Sequence, residues 1–242
     1  CEEENMKHSV SVQDGTLTVS FVDDRTWYEH IGFSFHSPKV TVYLPKTEYE
    51  SLVIEESTGD ITLPKDFTFG RMDLSVSTGH VDCLASSLGL MRIKTSTGDI
   101  RLQNLSAGEL DLTVSTGHVS VQSVVCEGNV EVSVSTGKTE LKDISCKSIH
   151  SEGSTGNITL KNVVTEGTIA IERSTGDVRF EGCDADELEI STDTGDVTGS
   201  LLSSKVFIAH SDTGRIDVPE TTSGGKCKIT TDTGDIKLSV KK

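Results

Sequence analysis

His80, Asp99 and His118 carry the most suggestive donor set in the chain: two imidazoles and a carboxylate at intervals of 19 residues. Brought into one file, they could bridge a divalent metal, because imidazole nitrogen and carboxylate oxygen are ordinary zinc donors. The plainer meaning of such a row is an alternation of signs that keeps like charges apart in a stacked ladder. Asp193, Asp196, Asp212, Asp232 and Asp235 form an acidic patch toward the C-terminus, with weak calcium binding as its possible chemistry. The glycine-rich nonapeptide of calcium-roll proteins is missing. Of six cysteines, Cys126 and Cys146 hold one repeat position in consecutive units, so stacking would bring their Cα atoms to about 5 Å, within disulfide reach. Free stacked thiols satisfy the same spacing. Cysteine and histidine spacing gives no zinc signature, and there is no nucleophile elbow, HExxH or phosphate loop. No catalytic residue, cofactor or committed metal site emerges.

What must position these residues is a repeat. Thr-Gly preceded by Ser or Asp occurs ten times: Thr58-Gly59, Thr78-Gly79, Thr97-Gly98, Thr116-Gly117, Thr136-Gly137, Thr155-Gly156, Thr175-Gly176, Thr194-Gly195, Thr213-Gly214 and Thr233-Gly234. The glycines step by 19 or 20 residues. A fixed period near 20 marks a solenoid, in which each unit buries its apolar face against the next. Two residues after each glycine stand Ile61, Val81, Ile100 and Val119; five before it stand Leu74, Ile93, Leu112 and Val132. Period-two alternation on both sides of the glycine predicts a short strand after it and a longer one before it. Leu105, Val124, Ile144, Val163 and Leu202, seven after the glycine, predict a short third face. Glycine suits a corner needing φ > 0. Continued alternation points the repeated Thr inward, as a buried or half-buried file, and the preceding Ser or Asp outward.

The expected fold is therefore all-β: a single-stranded parallel β-solenoid of about ten coils, each stacked on the one before. Right-handed winding follows from the general hand of parallel crossovers. Residues 1–39 differ in holding Trp27, Tyr28, Phe33 and Phe35 with short alternations around an Asp14-Gly15 turn, and read as an aromatic β cap. An aromatic ligand patch around Trp27 and Tyr28 is the sharper alternative. The solenoid is placed at 40–242, continuous with the cap as one domain, its first strand at Val40-Val42-Leu44.

A net charge of −16 over 242 residues disfavours nucleic acid and anionic lipid as partners. No apolar run approaches the roughly 18 residues of a membrane span. The chain starts at Cys1, so an upstream signal peptide or membrane anchor is expected, with Cys1 either lipidated or the residue left beyond a removed helix.

Val40-Thr41-Val42-Tyr43-Leu44-Pro45, then Tyr49-Glu50-Ser51-Leu52-Val53-Ile54, leading into repeated Ser-Thr-Gly-Asp-Ile, resembles the bacterial adhesin-labelled β-solenoid family of unknown function. Lys138-Thr139 and Gly199 depart from its pattern. The resemblance implies a solenoid tethered outside a bacterial membrane, with no catalytic residues to carry over. The functional expectation is a non-enzymatic, cell-surface binding scaffold whose partner is an unidentified envelope protein or glycan. One alternative is a polysaccharide-acting enzyme on a parallel β-helix, which needs a groove walled by long loops; here no coil exceeds 20 residues. Another is ice binding, which requires outward Thr.

Overall fold

The structure, a computed structural model, describes residues 6–23 and 39–241. Two compact units divide the chain, Cys1–Tyr43 and Leu44–Lys242. In the first, Met6–Gln13 pairs antiparallel with Thr16–Asp23. Asp14 (φ 50°) and Gly15 (φ 77°) make the turn, both left-handed as a two-residue hairpin requires. The aromatics Trp27, Tyr28, Phe33 and Phe35 lie outside the described residues.

The second unit is the solenoid. Coils are numbered here by their corner glycine, from coil 1 (Gly59) to coil 10 (Gly234). Residues 39–47 carry no strand, and regular winding starts with Glu48–Thr58. Strands before the glycines stack in parallel into one sheet and strands after them into a second. Register follows the columns: Leu112 stands opposite Val132 and Ile93, and Val121 opposite Leu141 and Leu102. Both sheets turn these columns inward, and Leu74, Ile93, Leu112, Leu102 and Leu160 are completely buried.

Strands after the glycine bend rather than stop. Asn104, Ser123, Asp143 and Asn162, each six after its glycine, take φ of 50–54°, and Gly182 takes 66° in the same place. Asn, Asp and Gly tolerate this left-handed region best. The bend redirects the chain, so that Leu105, Val124, Ile144 and Val163 point inward as the third face. Coil 8 lacks a left-handed residue six after its glycine, and its register shifts: Leu201 pairs with Cys183 and is buried, leaving Leu202 47% exposed.

The corner glycine is needed for closeness as much as for φ. Gly117 has φ 145°, and a Cβ there would sit 2.0 Å from the carbonyl oxygen of Gly98. Turning at that angle ends the alternation early. All ten repeat threonines are exposed, which corrects the inward placement expected for them. From coil 2 on, the last inward position before the corner is the one three before the glycine, as at Val114 and Val134.

A second correction concerns stacking order. Coils 1 to 8 stack in sequence, but coil 10 follows coil 8, and coil 9 lies outermost. Gly225–Thr233 pairs with Glu187–Thr194 on one side and Lys205–Thr213 on the other. Ile236–Val240 likewise lies between Val197–Leu201 and Ile216–Asp217. The chain skips a layer after Leu201 and steps back one after Asp217. All pairings remain parallel, so the chain circulates in the same sense while retreating along the axis. The hand of that last crossover is opposite to that of the others.

Edge chemistry explains the exchange. Pro219 cannot donate to a ladder, and the strand before it is only Ile216–Asp217. Such a strand suits an edge and would interrupt the middle of a sheet. At the returning loop, a Cβ on Gly225 would lie 1.7 Å from the Asp186 oxygen, and one on Gly224 (φ 114°) would lie 1.9 Å from the Ser204 oxygen. Lys205, 3% exposed, reaches back across the layer to Asp184. Its Nζ donates to Asp184 Oδ1 at 2.7 Å and to Ser203 Oγ, and Ser203 donates to the same carboxylate oxygen at 2.7 Å. Burial pushes the Asp184 carboxyl up, but the hydrogen bonds from Lys205 and Ser203 outweigh it and hold it below the ordinary value.

Candidate functional site

Each residue just after a corner glycine is set against its equivalents in the neighbouring coils. The stack brings His80, Asp99 and His118 into one file, and it uses their donor atoms internally. His80 accepts the Asp99 amide on Nδ1 at 3.0 Å, and Asp99 Oδ1 accepts the His118 amide at 2.9 Å. His118 Nδ1 accepts the Lys138 amide at 3.0 Å. The other oxygen of Asp99 is held by Arg101 at 2.5 Å. Among the described residues, no group of three or more His, Cys, Asp and Glu is arranged to hold a metal.

The same bond recurs along the rest of the file except at Lys138. Asp60 accepts from the His80 amide, Asn157 from Asp177, Asp177 from Asp196, Asp196 from Asp235 and Asp235 from Arg215. An acceptor atom two bonds beyond Cβ is the common property of Asp, Asn and the Nδ1 of His, which explains the mixed residue types. Lys138 has no acceptor, and its step is the one that is missing. Arg215 has none either, but in the exchanged order it stands last, where none is needed.

Stacking also gathers the acidic patch, and the exchange sets Asp196 directly beside Asp235. Asp193, Asp232 and Asp212 fall in three consecutive layers, all exposed, with Asp196 and Asp235 beside them as ladder acceptors. Cys126 and Cys146 occupy adjacent layers at the ends of their strands, and both are buried free thiols. Cys126 Sγ donates to the Gly108 carbonyl at 3.5 Å and Cys146 Sγ to the Ser148 carbonyl at 3.7 Å. Burial, then the neighbouring Cys126, pushes the Cys146 thiol up to about 12, which keeps the nucleophilic thiolate scarce. Cys83, Cys183 and Cys227 are fully buried in the core.

One constellation is not visible as a motif. Arg173, 5% exposed, occupies the inward column three before the glycine, where other coils carry Val114, Val134 or Thr192. Its register partner is Gly153, and the residue two earlier on that strand is Ser151 in place of an aliphatic. These two small residues make room for the guanidinium. Nη2 donates to Ser151 Oγ at 2.8 Å and Nη1 to the Glu172 carbonyl at 2.8 Å. Burial draws the guanidinium down to about 10, against the pull of Glu152. On the outer face of the same sheet, away from the guanidinium, a surface trough of about 400 Å³ is lined by Ser133, Glu152, Glu172 and Asp193 with Gly153 and Arg173 between them. The signal in sequence is three departures within two coils, each small by itself.

The profile of the family described as Toastrack DUF4097 matches residues 2–133 and again residues 126–242. No curated protein and no solved structure matches.

Proposed function

The chain belongs to the Toastrack DUF4097 family, and on that premise we propose that it is a non-enzymatic interaction scaffold of the bacterial cell surface. It is adhesin-like, held outside the membrane, and binds an envelope protein or glycan along its flank. The observation that carries this reading is the corner ladder. The histidines and aspartates with the most reactive spacing serve as acceptors for backbone amides, so their chemistry maintains the stack. What the stack offers outward is a long series of parallel polar columns, suited to repeated contacts with an extended partner. Saturable binding of labelled chain to purified bacterial envelopes, displaced by unlabelled chain, is the expected result. Turnover in a glycan depolymerisation screen, lost on one carboxylate substitution, would replace this reading with the enzymatic one. Exposure of the repeat threonines favours ice binding as a second reading, since the file stands outward at a regular step. It is a single file bordered by the acidic corner row, and measurable thermal hysteresis is the result that would establish it.

A further inference from the structure

Cys126 and Cys146 are a pair of metal-ligating side chains that the corner ladder leaves unused. Their strands stack in register: Val125 stands opposite Ser145, both outward, and the cysteines that follow them are both buried on the inward face. Their other neighbours in that column are Ala107 and Thr165. The two sulfurs also point the same way. Cys126 Sγ donates to the Asn129 carbonyl at 3.5 Å and Cys146 Sγ to the Ser148 carbonyl at 3.7 Å, and Asn129 and Ser148 are themselves register partners. Identical side chains in one column, with matched acceptors, repeat as the backbone does. Their sulfurs therefore stand about one layer apart, roughly 4.8 Å.

A disulfide needs its sulfurs at about 2.05 Å, less than half that separation. A metal ion in line between two thiolates needs twice a metal–sulfur bond, or roughly 4.6 Å if the bond is the ~2.3 Å of a zinc thiolate. The stack supplies this spacing without moving either strand. Among the described residues no group of three or more His, Cys, Asp and Glu is arranged to hold a metal, so the pair stands alone. Zinc wants four ligands, whereas soft thiolates without oxygen donors select Cu(I). The exposed carboxylates of Glu109 and Glu127 act on the Cys126 thiol through their charge, and the same charge favours the approach of a cation. We propose that Cys126 and Cys146 of the reduced protein hold one Cu(I) ion in line between their sulfurs, bridging coils 4 and 5. As each sulfur bonds the metal, its thiol proton leaves to solvent, and no oxidation state changes. This site is independent of the adhesin-like reading and would stand if that reading failed.

The test is anaerobic titration of the reduced whole chain, carrying Cys1→Ser, with Cu(I) against the competing chelator bicinchoninate, repeated with Ag(I) as a redox-inert stand-in. One equivalent per chain should be taken from the chelator, and it should raise the melting temperature. Cys126→Ala and Cys146→Thr install the residues found next in the column, Ala107 and Thr165, and so should fold; each should weaken binding by about a hundredfold or more. Cys227→Ala should leave binding unchanged, because the register partners of Cys227 are Leu188 and Phe207. Zn(II) should bind more weakly than Cu(I) by about a hundredfold or more. No uptake from the chelator, uptake that survives either substitution in the column, or zinc bound as tightly as Cu(I) would each overturn the assignment. So would a Cys126–Cys146 disulfide formed under mild oxidation, because it would show that the sulfurs reach bonding distance.

Discussion

Coils 2 to 8 and the last two coils are written in the same repeat, yet they are used differently. Each coil of the first group has a neighbour on both sides, and each of its corner residues but Lys138 supplies an acceptor to the next amide. Coil 9 has Arg215 at the corner and Pro219 in the following segment, and it lies at the edge although coil 10 comes after it in sequence. The lesson is that the period specifies the shape of a coil, while backbone satisfaction specifies which coil can be last. A coil that cannot donate or accept on its outer side costs least where nothing stacks on that side.

Substitutions matched between the two kinds of position sharpen the contrast. The largest difference is expected at the corners. Gly117→Ala places a Cβ 2.0 Å from the Gly98 oxygen at φ 145°, and should destabilise by about 4 kcal/mol or more. Gly59→Ala, with nothing nearer than Glu56 Cγ at 3.6 Å, should cost about 1 kcal/mol, from φ alone. Equal losses in urea denaturation would mean that close stacking is not the reason for the glycine. Leu112→Ala, in the array, should cost about 2–5 kcal/mol, against less than about 0.5 for Ile208→Ala on coil 9, which is 53% exposed.

Arg173→Thr should act in the opposite direction, stabilising by about 1–3 kcal/mol, because a buried cation without a carboxylate partner is removed. The sign with pH follows from a folded value drawn down to about 10. Below that value the cost of the buried charge is constant, and it lifts as pH rises toward the ordinary guanidinium range. The advantage of the variant should therefore shrink above pH 10, and an advantage that grows there would contradict the burial. The smallest effect belongs to the ladder. Asp196→Ala leaves the Asp235 amide without its acceptor and should cost about 1 kcal/mol, whereas Arg215→Ala at the end of the file should be neutral.

Much of this was legible in the residues. The glycine period gave the coil and the apolar columns gave its core, because burial on a strand follows a strict period of two. Thr orientation was misread because that alternation was carried through a corner where φ near 145° ends it. The left-handed bend was marked by Asn104, Asp143, Asn162 and Gly182, but Ser123 in the same place blurs the signal. Stacking order was marked too, by Arg215, Pro219 and Ser223-Gly224-Gly225, each unremarkable until its neighbours are known. Arg173 with Ser151 and Gly153 escaped for a related reason: the slot exists only across two coils, and a column read one residue at a time does not show it.

The exchanged order is tested most directly by cross-linking. Ser191 Oγ and Thr230 Oγ1 lie 3.3 Å apart on the outer face, in register between coils 8 and 10. His210 is the next residue along that row, two layers or about 9.6 Å from Ser191 and beyond disulfide reach. Ser191→Cys paired with Thr230→Cys should form a disulfide in the folded protein under mild oxidation, while Ser191→Cys paired with His210→Cys should stay reduced. A bridge in the second pair and none in the first would show that coil 9 stacks on coil 8 in sequence, and would contradict the account.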